Sequence, residues 1–126
     1  MLNENDQKLI EKAKALVAPR AVKGGVVKEV GSTLITGQGK SFSGVSLHLS
    51  CGIGFCAEHT AISQMVTQTN ETIIKIIVAA TKEDVLPPCG RCRELMNILD
   101  AKNSYTEVII SRNTKVKLKE LLPYSS

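Results

Sequence analysis

The sequence predicts an α/β sandwich around one mixed sheet. Three observations predict it. A helical period opens the chain, a β-hairpin follows, and helical and β-branched segments alternate after that. Apolar residues make up 43% of the 126, with aromatics at 3% and no Trp, so the core is aliphatic. The length suits a single domain spanning 1–126, and no linker, repeat or low-complexity stretch divides it.

The elements follow in order. Asn3 or Asn5 caps a helix from about Glu4 to Val17, with Leu9, Ile10, Ala13, Leu16 and Val17 on one face. Pro19 and Gly24-Gly25 stop it. Val26 to Thr36 and Ser41 to Leu49 read as two strands joined by a turn at Gly37-Gln38-Gly39, a hairpin. From Cys56 to about Thr69, Ala57, Ala61, Ile62, Met65 and Val66 recur at helical spacing. Ile73 to Ala80 is β-branched and reads as a buried strand. Pro87-Pro88 marks the next start, and Leu95, Met96, Ile98 and Leu99 form the apolar face of a helix from Arg91 to Leu99. Glu107 to Ser111 and Thr114 to Lys117 are short strands about a turn at Arg112-Asn113, and Leu118 to Leu122 is a helical turn. The sheet so predicted has five strands.

Composition excludes some classes. The longest apolar run, Ile73 to Ala80, is broken by Lys75 and is too short to cross a bilayer, so no membrane partner is expected. The N-terminal Met1 to Asp6 shows neither a basic segment nor an apolar one, so a cytoplasmic protein is the default. Thiols stay reduced there, and four cysteines then suggest metal or catalysis before disulfides. The net charge of +4 is scattered, without a basic run. Two Phe and two Tyr are few for a stacking surface, which argues against nucleic acid as a partner.

Two short stretches carry the chemistry: Cys56-Ala57-Glu58 and Pro88-Cys89-Gly90-Arg91-Cys92, each opening a helix. Cys89 and Cys92 share a helical face, and Cys56 comes from the other helix start. Three thiolates with an open fourth position suit a hydrolytic zinc. Helix N-termini favour thiolate over thiol. Three thiolates on zinc leave a local charge of about −1, and His59, Arg91 and Arg93 are close enough in sequence to offset it. Glu58, in the first helical turn, is placed to act as general base and then general acid. The bland alternatives are a redox Cys-x-x-Cys pair, or a structural zinc knuckle with Cys51 or His59 as fourth ligand. A lone Glu at a helix start is ordinarily only a dipole or cap residue, and only the cysteines single out Glu58.

These stretches resemble the zinc-deaminase signature, Cys or His, x, Glu, then Pro-Cys-x-x-Cys. The chain resembles the cytidine deaminase family in its small, all-cysteine, homotetrameric branch. Val30 to Val45 is similar to the family's first hairpin, VGAALLTEDGKIFTGV. Cys56 to Ile62 is similar to CAERTAI, Pro88 to Glu94 to PCGxCRQ, and Leu121-Leu122-Pro123 to the C-terminal LLP. The resemblance implies a three-layer α/β/α fold and a hydrolase of nucleoside metabolism and pyrimidine salvage acting on a small-molecule nucleoside. It implies zinc on Cys56, Cys89 and Cys92, proton transfer by Glu58, and base contacts from the backbone around Ala57 and Pro87.

The sugar-reading residues depart from the pattern. Where nucleoside deaminases have Asn-Val-Glu-Asn, whose Asn and Glu grip the ribose hydroxyls, this chain has Ser46-Leu47-His48-Leu49. Ser46 and His48 are therefore the candidate substrate contacts, with His48 as a packing or solvent-facing strand residue the alternative. Lys28, in place of a stacking aromatic, reads as a solvated strand residue. Cys51 reads as a buried small hydrophobe. Blasticidin S deaminase, another branch, shares the Pro-Cys-Gly-Arg-Cys-Arg run and the Glu-Leu-Leu-Pro tail, Glu120 to Pro123 here.

Overall fold

The computed structural model describes residues 2–125. Helix α1 (Glu4–Ala15) opens with a reciprocal cap: Asp6 N–H donates to Asn3 Oδ1 at 2.8 Å, and Asn3 N–H donates to Asp6 Oδ2 at 3.0 Å. Asn3, not Asn5, is the cap. Leu9, Ile10 and Ala13 bury the apolar face. Lys115 Nζ reaches Asp6 at 2.9 Å and ties the start of α1 to the far strand pair.

The sheet has seven strands: β1 (Arg20–Val22), β2 (Gly25–Thr36), β3 (Ser41–Leu49), β4 (Ile74–Ala80), β5 (Val85–Leu86), β6 (Glu107–Ser111) and β7 (Thr114–Lys117). β3 pairs with β2, β2 with β4, β4 with β6 and β6 with β7, and only β4–β6 is parallel. The five expected strands are these five. The two extra strands, β1 and β5, correct the count. They are three and two residues long, and each folds back onto a strand already in place, β1 on β2 and β5 on β4. Segments that short carry no readable alternation.

The layers follow from which face each strand residue takes. Ile76, Val78, Ala80 and Ile109 pack with Leu9, Ile10 and Ala13 of α1. Leu34, Phe42, Ile74, Ile77 and Val108 pack on the other side with Ala61, Ile62 and Met65 of α2 (Ala57–Gln68), Met96 of α3 (Gly90–Leu99) and Leu118 of α4 (Leu118–Leu121). Ile74 and Ile77 share a face despite their odd separation because the β2–β4 register shifts there: Ile35 pairs with Ile76 and Thr36 with Ile74, leaving Lys75 over. The result is three layers, α/β/α. Val66 and Ile98, expected on buried helix faces, are instead 47% and 72% exposed.

Buried Asn103 fixes α3 against β4. Its Oδ1 accepts from Ile74 N–H at 2.8 Å, and its Nδ2 donates to the carbonyls of Thr72 at 2.9 Å and Met96 at 3.0 Å. α2 sits close to β3 because Gly44 has no side chain: a Cβ there would lie 2.5 Å from Thr60 Cβ and 2.6 Å from Ala61 N. Thr60 Oγ1 also donates to the Val45 carbonyl at 2.9 Å. Gly44→Ala must push α2 off the sheet, and a backbone nitrogen cannot swing aside. Urea unfolding is expected to show a loss of about 1–3 kcal/mol, and unchanged stability would contradict this packing.

Candidate active site

The two motifs become two helix starts that meet. Cys56 is the N-cap of α2 and Cys89 the N-cap of α3, with Cys92 in the first turn of α3. Their sulfurs all lie within 4.8 Å of one another, and Cys56 Sγ and Cys89 Sγ are 3.1 Å apart. Leu47 and Phe55 pin the approach to Cys56 by exchanging backbone hydrogen bonds at 3.0 and 2.9 Å. Cys51, expected to be buried, is exposed with φ 62 and stands outside the cluster. Its left-handed backbone turns it out of the loop, so it is neither core nor fourth ligand.

The thiols oppose one another electrostatically. Partial burial, then the Cys89 thiol and its charge, push Cys56 up to about 11. Burial, then the charges of Glu58, Cys56 and Cys89, raise Cys92 well above the usual thiol range. Burial acts on Cys89 too, but the Cys56 thiol and the backbone N–H groups of Cys92 and Arg91 outweigh it, and its pKa falls. Three thiolates cannot share this space without a cation. At Cys89 the amides that open α3, those of Arg91 and Cys92, supply donors to the sulfur.

Glu58 is 5% exposed, and its burial raises its pKa against the opposing pull of its own backbone N–H. A cleft of about 100 Å³ is lined by Val30, Ser46, His48, Cys56, Ala57, Glu58, Pro87 and Cys89. All four expected substrate contacts, Ser46, His48, Ala57 and Pro87, line it. Three larger hollows, of about 830, 460 and 380 Å³, lie elsewhere, and none of their linings includes Glu58 or the three clustered cysteines; a groove of about 210 Å³ beside the cleft shares Cys56 and His48 with it. Chemistry, not volume, marks the site.

The residues expected to back up the metal ligands behave differently. Arg93 donates from Nε to the Pro88 carbonyl at 2.8 Å and from a terminal nitrogen to the Leu121 carbonyl at 3.4 Å. It braces the loop before Cys89 against α4, and these bonds hold its guanidinium on two carbonyls. The His59 ring packs on Phe55 with centroids 4.9 Å apart, and its buried Nδ1 has no partner among the described residues. Arg91 is exposed; its side chain lines a second groove beside the cleft, while its backbone N–H serves Cys89.

Sequence reasoning missed Glu29. Between Val27 and Gly31 the β2–β3 register shifts, with Lys28 at φ 63. Ser46 Oγ accepts from Val30 N–H at 3.0 Å across this bulge, and Glu29 Oε1 meets His48 Nδ1 at 2.7 Å. The signal was the adjacent charged pair Lys28-Glu29 breaking the alternation of the strand.

Residues 3–108 match the cytidine and deoxycytidylate deaminase zinc-binding region. The chain belongs to that family. A probable cytidine deaminase of Dictyostelium discoideum is 37% identical over 67 residues, 52% of this chain and 46% of that protein. A cytidine deaminase of Halalkalibacterium halodurans is 32% identical over 69 residues, 54% of this chain and 52% of that protein. The matched part of the chain thus spans about half the length of these relatives. Among solved structures, cytidine deaminase from Mycobacterium leprae superposes with a TM-score of 0.75 at 22% identity, covering 98% of this chain and 100% of that one. The enzyme from Burkholderia pseudomallei gives 0.72 at 26% identity, covering 99% and 100%.

The donor set of this deaminase-family chain fits zinc. Zinc–thiolate bonds of about 2.3 Å bring tetrahedral sulfurs to within about 4 Å of one another, and the three sulfurs already lie within 4.8 Å. Metal binding must expel the protons that the raised thiols of Cys56 and Cys92 hold at neutral pH. Apparent zinc affinity is therefore expected to climb by at least about 100-fold per pH unit between pH 6 and 8, at least two protons being released. Competition with a chromophoric chelator measures this, and a flat profile would remove these thiols from the metal site.

Proposed function

We propose that this chain is a zinc-dependent aminohydrolase that converts a cytosine-bearing nucleoside, or an analogue of one, to the uracil form with release of ammonia. The observation that carries this is Glu58, a carboxylate buried in a cleft beside three convergent cysteines. Cys56, Cys89 and Cys92 would hold the metal. Zinc bound there supplies Lewis acidity that makes water a nucleophile near neutral pH. Glu58 takes a proton from the attacking water and delivers it to the ring nitrogen next to the reacting carbon. A second proton passes through the same carboxylate to the exocyclic amine, the C–N bond breaks, and ammonia leaves. The walls formed by Ala57 and Pro87 orient the base.

A metal that only held the fold would not need Glu58 buried beside three thiols. The family match and the two cysteine-bearing helix starts support the catalytic reading over that one. Deamination of a base within a nucleic acid is the weaker reading, since the cleft lining holds no Phe, Tyr or Trp.

We also read the protein as a single catalytic domain, cytoplasmic, in pyrimidine salvage and homotetrameric. Among the described residues no helix is long and apolar enough to cross a membrane. The cleft, about 100 Å³, is smaller than the roughly 300 Å³ at which ligand pockets ordinarily begin. Walls from a neighbouring copy would complete it, and exposed Ile53, Val66 and Ile98 supply apolar surface for such contacts. The deciding experiment is ammonia release from cytidine, deoxycytidine and blasticidin S by the zinc-loaded protein. Turnover of cytidine or deoxycytidine is the expected result. Turnover of blasticidin S alone would make this an antibiotic-type deaminase, and silence on all three would overturn the substrate class.

A further inference from the structure

We infer that the hollow between α1 and the sheet is a second binding site, built for a phosphate monoester that carries an apolar body. The inference stands apart from the deaminase reading, and no residue of the Glu58 cleft takes part in it. The hollow measures about 460 Å³, within the roughly 300–1,000 Å³ of ordinary ligand pockets. It lies on the α1 face of the sheet, whereas α2 and α3, whose starts carry the clustered cysteines, pack on the other face. Its floor is apolar, formed by Leu9 of α1, Ile35 of β2 and Ile76 of β4.

The charges around that floor are sorted. Four lysines line the hollow, Lys8, Lys12, Lys75 and Lys115, against two carboxylates, Asp6 and Glu107, which leaves a surplus of two positive charges. Lys115 engages both carboxylates, at 2.9 and 3.2 Å. Lys12 and Lys75 have no carboxylate within ion-pair distance among the described residues. Two devices set these two in place. In an unbroken strand the residue before Ile76 would face away from it. Lys75 is the residue left over where the β2–β4 register shifts, and a bulge re-aims a side chain, so Lys75 and Ile76 line the same hollow. Lys12 Nζ donates to Ser41 Oγ at 2.7 Å, a bond from α1 to β3. An ammonium has three donors, so this bond holds Lys12 and leaves two for a ligand. Lysines that only solvate a surface need neither a bulge nor an apolar floor. A phosphate monoester carries about −1.5 to −2 near pH 7, which matches the surplus, and its apolar body would cover Leu9, Ile35 and Ile76. A carboxylate would meet only half of that charge.

Amide NMR titration of the zinc-loaded protein with phenyl phosphate tests this. Saturating shifts are expected at Leu9, Lys12, Ile35, Lys75 and Ile76, with a Kd of about 1 mM or tighter. Inorganic phosphate lacks the body and phenol lacks the charge, so each should bind at least about tenfold more weakly. Lys12→Ala and Lys75→Ala should each raise the Kd about tenfold. Both lysines are exposed, so both variants should melt as wild type does. Glu58→Gln should bind phenyl phosphate unchanged. The absence of saturating shifts at those residues overturns the inference. Inorganic phosphate binding as tightly as phenyl phosphate would make this an adventitious ion only, and benzoate binding as tightly would overturn the phosphate assignment. Affinity unchanged in both lysine variants, or lost in Glu58→Gln, would place the ligand elsewhere and overturn it too.

Discussion

Glu58→Gln is expected to lower kcat/KM by roughly 10²–10⁴-fold, the range that a positioned general acid/base contributes, while zinc content stays at one per chain. Gln keeps the shape and the hydrogen-bonding oxygen but cannot accept and return a proton. Retained turnover would remove Glu58 from the mechanism. A second readout separates loss of chemistry from loss of structure. Burial raises the Glu58 pKa, so the folded state disfavours its charged form. That cost is absent at low pH, where Glu58 is protonated in both states, and it grows as pH rises through the carboxylate range. With the metal removed from both proteins, the variant should therefore melt at or above the wild-type temperature at pH 7.5, and the gain should shrink toward pH 4. A site residue whose removal stabilises the fold is being held in place for its chemistry. A variant that melts lower at neutral pH would show instead that Glu58 is a structural group.

Much of this was legible in the sequence because it depends on local order. Cys56 and Cys89 occupy N-cap positions, and the segments after them carry a clear apolar period, so the two helix starts could be placed from spacing alone. β2 and β4 are long and β-branched enough to announce themselves, and the turn at Gly37-Gln38-Gly39 announces β3 as the returning strand. What stayed hidden depends on pairing. β1 and β5 exist only as additions to neighbouring strands. Glu29 meets His48 because of a register shift that no alternation pattern encodes, since the shift is decided by which residues of β3 lie opposite. Arg93 stands two residues before the apolar Leu95-Met96 pair, and Cys92 precedes it directly. Its guanidinium nevertheless satisfies two carbonyls, one of them 28 residues away. Proximity in sequence pointed to His59, Arg91 and Arg93, but burial and carbonyl geometry set the contacts they make.

The same distinction governs the last prediction. Cys92 is fully buried, whereas Cys56 is partly exposed and Cys89 exposed. It is also the one of the three that sits inside a helix and not at its cap. With Cys56, Cys89 and Cys92 holding the metal as proposed, alanine at 92 would leave two ligands, one fewer than a tetrahedral site with an open position needs. Metal content measured by mass spectrometry is expected to fall below about a tenth of an ion per chain at neutral pH, since metal affinity at such sites also carries folding energy. Melting temperature should fall with it, because the metal would join the N-termini of α2 and α3, which otherwise meet through few residues. The alanine side chain itself is a small change in volume in a helix and favours helical backbone, so the apoprotein of the wild type is the right reference. If the variant and the wild-type apoprotein melt together, the stability lost belongs to the metal. If the variant keeps its zinc, Cys92 is only a core residue, and the cluster would have to be rebuilt around a different third ligand.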